Sequence, residues 1–223
     1  MPKARSGHAG VAELVDAADS KSASGNRLSV RVRPPVPQAG STPAAPSGIA
    51  RPMSAISLLR SRTAPAHDTV DSAFAAHDFA DPAAYRRFLL AHARALPAAE
   101  ARAAQVWPVL RRRTPLLAAD LDALGVNVDL PIETVSTSVA AAWGALYVVE
   151  GSRLGGGLLA RRVAAGMPHA YLSAVHEPGE WRAIRTAIDQ AAAGRNDEWH
   201  EAMITGALQT FELYEAAAHE PAA

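Results

Sequence analysis

The chain has 223 residues, enough for one sizeable domain with its own core, and it carries 22 basic and 22 acidic residues. Zero net charge gives no global attraction to nucleic acid or to an acidic membrane surface. The lack of cysteine excludes disulfides, thiolate metal sites, iron–sulfur clusters and a cysteine nucleophile, and it fits a reducing, cytoplasmic setting.

The first 52 residues differ from the rest. They hold seven basic and three acidic residues, a net of +4, which leaves −4 on the remainder. Residues 22–52 are rich in Ser, Gly, Pro and Arg and poor in large apolar side chains, so they cannot bury enough surface to offset the entropy of ordering. The stretch "GVAELVDAADSKSASGNRLSVRVRPP" also resembles conceptual translations of transfer-RNA genes, which implies a mis-annotated translation and a native start near Met53. The expected division is a disordered basic tail over 1–52 and a helical domain over 53–223.

From Met53 the pattern is helical throughout, with abundant Ala, little β-branched alternation and no hairpin signal. The spacing predicts a first helix over about 57–77, with Leu59, Thr63, Ala66, Val70 and Phe74 on one face. Asp81-Pro82 reads as a cap followed by proline at the first helical position. The second helix carries Tyr85, Phe88, Leu89, His92 and Leu96 and is expected to end at Pro97. A third helix is expected over 98–112, a fourth from Thr114-Pro115 to Gly125, and a loop over 126–133. A long helix follows from about Val135. It is expected to be interrupted at "EGSRLGGG" and to resume to Ala165, with Gly166-Met167-Pro168 closing it. The last two helices are expected over 178–193 and 197–219. Short connections make sequential helices antiparallel neighbours in an all-α bundle. The longest uncharged run after Met53, Thr134 to Val149, is shorter than the ~20 residues of a membrane span.

Gly151, Gly155, Gly156 and Gly157 would each cost a helix ~1 kcal/mol against Ala. Gly151 and Gly155 share a face of bare backbone. Either another helix packs closely on that face, or a flat ligand lies on it. A strand with a phosphate loop is excluded, because the spacing is not G-x-G-x-x-G and no Walker lysine follows. On the first helix, His67 shares a face with Thr63 and Asp71, at i−4 and i+4. Asp71 can accept from one imidazole nitrogen and leave the other for a metal. A surface pair would show the same spacing.

Together, "T-x-x-x-H-x-x-x-D" and "WGALYVVEGSRLGG" resemble the biliverdin-producing haem oxygenases, most closely the bacterial type that serves bacteriophytochromes. The resemblance covers about Ile56 to Glu215. It implies a single-domain helical bundle with a kinked Gly-rich distal helix, and an oxidoreductase that cleaves haem to biliverdin, CO and ferrous iron with O2 and external electrons. Haem is then both cofactor and substrate. It implies His67 as the axial iron ligand and Asp71, with Thr63 beside it, behind that imidazole. Gly151, Ser152, Gly155 and Gly156 would cover the distal face, with the Ser152 hydroxyl and the backbone ordering waters that deliver protons. Arg60, Arg182 and Arg185 are candidates for the haem propionates, and Leu208 and Phe211 for the pocket lining. The partners implied are a ferredoxin or reductase as electron donor and a bacteriophytochrome receiving biliverdin, with neither nucleic acid nor a membrane span.

Outside these stretches, Tyr147 reads as core, and His77, His92, His169, His176, His200 and His219 as surface or packing residues. Arg111 to Arg113 read as a solvated helix end, or as a contact for an acidic electron donor. Three rival functions remain. A related thiamin-degrading or quinone-forming bundle is disfavoured for the thiaminase type, which needs a cysteine. A non-catalytic haem or bilin carrier would use the same residues. A ligand-free bundle would leave His67 incidental.

Overall fold

The computed structural model describes residues 53–130 and 135–220. The basic tail over 1–52 and the end of the predicted 126–133 loop lie outside the described residues. Among the described residues there are seven α-helices, one 3₁₀ turn and no strand: α1 (Ala55–Phe74), α2 (Pro82–Ala104), α3 (Thr114–Ala123), α4 (Val139–Leu159) running into the 3₁₀ turn Ala160–Arg162, the short α5 (Ala170–Ser173), α6 (Glu180–Ala192) and α7 (Asp197–His219).

The helix starts are written in short polar side chains. Ser54 caps α1, Asp81 caps α2 through the N–H groups of Ala83 and Ala84, Ser138 caps α4, and Asn196 caps α7. The stops are less regular. Pro97 does not end the second helix. α2 runs through it to Ala104, absorbing the third predicted helix, and residues 105–113 are turn and coil. Proline removes one ladder hydrogen bond there. The cost is offset by burial on both sides, from Ala95 and Leu96 to Ala99 and Ala103. The fully buried Glu100 adds an anchor. Its carboxylate accepts from the backbone N–H groups of Arg113 (2.5 Å) and Thr114 (3.2 Å) and from the Thr114 hydroxyl (2.8 Å). Pro65 is likewise held inside α1.

The glycines do not interrupt α4 either. The closest helix contact in the bundle is made by a different pair, Gly144 of α4 and Gly206 of α7. A Cβ on Gly144 would overlap the Met203 carbonyl and come 2.6 Å from Ala207 N, and one on Gly206 would overlap the Ala141 backbone. These two glycines let α4 and α7 pack as the most extensive pair in the bundle, with α1 laid on α7 and α2 against both.

Two apolar clusters result. One gathers Leu59, Leu146, Ile184, Ile188, Met203 and Phe211 among α1, α2, α4, α6 and α7. The other gathers Phe79, Tyr85, Phe88, Leu117, Leu121 and Tyr171 around the first half of α2, with α3 and α5. The predicted faces of α1 and α2 are the buried ones.

Candidate functional site

Between the two clusters lies a cavity of about 520 Å³, a size typical of small-molecule sites. Its walls include α1 (Arg60, Thr63, His67, Asp71), α4 (Tyr147, Gly151, Ser152, Gly155, Gly156) and α7 (Phe211, Tyr214). The predicted histidine and the predicted glycine stretch therefore face one space.

On the α1 wall the i, i+4 spacing brings Asp71 Oδ2 to 3.5 Å from His67 Nδ1. That nitrogen is buried with no aligned hydrogen-bond partner, so Asp71 attracts it without bonding it. Burial raises the Asp71 carboxyl above the usual range, His67 pulls it down, and Asp68 adds to the rise. With Nδ1 turned to Asp71, Nε2 is the nitrogen left for a ligand. Phe211 stands edge-on to the imidazole, centroids 5.8 Å apart. Thr63 is buried, and its hydroxyl donates to the Leu59 carbonyl at 2.8 Å, within its own helix.

On the α4 wall the glycines divide. A Cβ on Gly156 would stand 3.1 Å from the Leu172 carbonyl oxygen, and one on Gly157 would stand 2.7 Å from Val175 Cγ1, so these two accommodate the segment around α5. A Cβ on Gly151 would meet nothing nearer than Trp181 at 4.0 Å. Protein packing gives no reason for glycine at 151. Its bare face opens onto the cavity, as does Gly155. Close packing therefore accounts for Gly156 and Gly157, and not for Gly151.

Ser152 also lines the cavity, but its hydroxyl is engaged. It donates to the Val149 carbonyl at 2.7 Å and accepts from Arg113 Nη2 at 2.7 Å. Arg113 corrects the reading of Arg111 to Arg113 as a solvated end. It is 2% exposed, lines the cavity, donates also to the Val149 carbonyl at 2.8 Å, and stacks its guanidinium 5.3 Å over the Tyr171 ring. Arg111 is bound by Glu180 at 2.5 Å and donates to the Val175 carbonyl at 3.0 Å. Arg60 alone of the three propionate candidates lines the cavity. Arg182 and Arg185 sit on α6 outside the lining, and Leu208 packs at the edge of the first apolar cluster.

Two further residues, Glu150 and Arg153, escaped the sequence reading, and His92, read there as a surface or packing residue, lines the cavity. It stands among Phe74, Phe88, Tyr171 and Tyr214, with ring centroids 4.1 to 5.6 Å away, and burial pushes its pKa down to about 3. Arg153, 1% exposed, holds Glu150 at 3.0 Å and donates to the carbonyls of Ala174 (3.0 Å) and Arg111. Glu150 also bonds His176 Nε2 at 2.9 Å. Burial works to raise the Glu150 carboxyl, but the His176 and Arg153 contacts bring it below its ordinary value. This buried network fastens the glycine-rich turn of α4 to the loops at 111 and 174–176. Their sequence signal was slight, a histidine on an apolar face and a charge pair at i, i+3 inside an apolar run.

Neither wall alone would mark a site, and the comparisons bear on the frame that sets them opposite one another. A heme oxygenase from Neisseria meningitidis, solved with NO and CO bound, superposes with a TM-score of 0.62 at 24% identity, over 74% of this chain and 90% of that one. The chain has the heme oxygenase fold. It is also 40% identical over 96 residues to a heme oxygenase of Xanthomonas campestris pv. campestris (strain 8004), a match that takes in 39% of this chain and spans 58% of that relative. No protein-family profile matches the chain. Among the described residues, no group of three or more His, Asp or Glu is placed to hold a metal ion, and no helix is long and apolar enough to cross a membrane.

The residues present fit a flat iron macrocycle. One imidazole with a free nitrogen faces a side-chain-free strip of α4. The space between is lined mostly by apolar and aromatic groups, and Arg60 stands on its wall.

Proposed function

We propose that this chain is a haem oxygenase that binds haem between α1 and α4 and cleaves it to biliverdin, CO and ferrous iron. The supporting observation is that His67 and the Gly151–Gly155 strip line the same cavity. When bound, haem supplies the oxygen-activating and redox chemistry, with O2 as co-substrate and electrons from a ferredoxin or reductase.

The chain's own residues orient and shield. His67 Nε2 would hold the iron of a bound haem, with the Asp71 carboxylate 3.5 Å behind Nδ1 drawing that side of the ring towards it. Gly151 and Gly155 admit the ring face close to backbone, where a Cβ would intrude. Phe211 and Tyr147 keep the ring plane apolar, and Arg60 meets a propionate carboxylate. Ser152 and Arg113 hold the α4 wall in place. The finer reading, biliverdin supplied to a bacteriophytochrome, rests on the likeness of "WGALYVVEGSRLGG" to that bacterial type.

The test starts from residues 1–223 and hemin. A sharp Soret band in the wild type that is lost in His67→Ala supports the binding site. Reduction with ascorbate or a ferredoxin system should then yield biliverdin absorption and CO. A Soret band that is reduced but never gives biliverdin makes the chain a haem carrier and ends the catalytic reading.

A further inference from the structure

Two buried donors on the cavity wall have no role in the function proposed above. Arg113 engages Nη2 with Val149 and Ser152, while its Nε is buried without a hydrogen-bond partner. The Tyr214 hydroxyl, on a residue 5% exposed, is likewise buried without one. Both residues line the cavity. Each stands against one of two neighbouring rings. The Arg113 guanidinium is 5.3 Å from the Tyr171 centroid, Tyr171 is 5.6 Å from His92, and His92 is 5.5 Å from Tyr214.

Buried donors in folded proteins have partners, and a buried guanidinium needs its charge matched. Among the described residues no carboxylate lies within ion-pair distance of Arg113. Glu100, nearby in sequence and space, commits its oxygens to the Arg113 and Thr114 backbone and the Thr114 hydroxyl. Neighbouring Ser152 has already given its proton to Val149. What is missing is an acceptor that carries one negative charge and is small enough to lie beside these rings.

We propose that Arg113 Nε and the Tyr214 hydroxyl form a binding site for a small inorganic monoanion on this wall of the cavity. The guanidinium supplies the charge and one N–H, and the phenol supplies the second donor. The site belongs to the chain itself. It rests on and deepens the function proposed above where haem is bound, because an anion sharing the cavity with the ring would meet Arg113 on its wall.

Two arms test it, and only the second rests on the haem reading. In the haem-free protein, azide should show a second antisymmetric-stretch band in the infrared. That band should be lost in Arg113→Met and weakened in Tyr214→Phe, which removes one unpartnered oxygen and leaves the fold intact. In the hemin-loaded protein, fluoride affinity should fall about tenfold in Tyr214→Phe, the effect of losing one hydrogen bond to a charged group, with CO affinity unchanged. A wild-type infrared spectrum with free azide alone, together with equal fluoride affinity in wild type and Tyr214→Phe, overturns the proposal. An azide band without any Soret band on adding hemin keeps the anion site and defeats the haem reading. A Soret band without anion binding does the reverse.

Discussion

Arg113 Nη2 donates to the Ser152 hydroxyl at 2.7 Å, and that hydroxyl donates in turn to the Val149 carbonyl at the same distance. The expected part for this serine, ordering waters through a free hydroxyl, meets a group already engaged on both sides. Its geometry is that of a clamp between the coil before α3 and the middle of α4.

Ser152→Ala should therefore cost stability more than chemistry. Arg113 keeps the Val149 carbonyl and loses one acceptor, a change worth about 1 kcal/mol. Urea unfolding should show that loss, while biliverdin formation stays within about tenfold of wild type. A larger fall in turnover with an unchanged Soret band would make the hydroxyl a proton carrier.

Two glycine substitutions should move in opposite directions. Gly206→Ala drives a methyl group into the Ala141 backbone and should destabilise by about 1–3 kcal/mol or unfold the chain. Gly151→Ala meets open space and gains helix propensity, so the haem-free protein should be more stable by up to ~1 kcal/mol. Its hemin affinity should fall. Thermal unfolding and hemin titration of the same pair decide the matter, and unchanged hemin affinity in Gly151→Ala would remove the strip from the binding surface.

His92 gives the haem-free protein an acid-sensitive half. Its folded pKa of about 3 lies below the ordinary value of 6.5, chiefly because burial disfavours the charged ring. The unfolded chain therefore binds the proton first. The stability from the neutral ring is present above pH 6.5 and is lost as pH falls towards 3, by up to about 1.4 kcal/mol per pH unit. His92→Phe should flatten urea midpoints between pH 6.5 and 4. A parallel slope in wild type and variant would show that another group carries it.

The Glu150–Arg153 pair fastens α4 from behind. Arg153→Met leaves a buried carboxylate with only His176, and losses of about 3–5 kcal/mol follow when one partner of such a pair is removed. The double variant Glu150→Gln/Arg153→Met should recover much of the loss in the same unfolding assay. If the single and double variants are equally unstable, the charge left behind is not the cause.

Helix positions and buried faces were legible wherever a local rule acts. Asp81 announces the start of α2 and α7 has the bounds its pattern predicts, whereas Ser54 and Ser138 set starts that the helical spacing placed near 57 and 135. Pro97 misled because its local penalty is outweighed by burial along both halves of α2, which no local pattern displays. Within the site, His67, Asp71 and Gly151 could be read because their spacing is short-range. Arg113 could not. It sits in an exposed-looking run of three arginines, and its partners Val149 and Ser152 lie 36 and 39 residues further along the chain. Arg182 and Arg185 lie on α6 outside the cavity lining, a placement their position in the sequence does not display.

The cavity separates the two apolar clusters while drawing its lining from both, Phe211 and Val148 from one and Phe88 and Tyr171 from the other. An occupant would act as mortar between the two masses. Amides of α3, remote from the opening and belonging to the second mass, should then exchange with heavy water markedly more slowly once the space is filled.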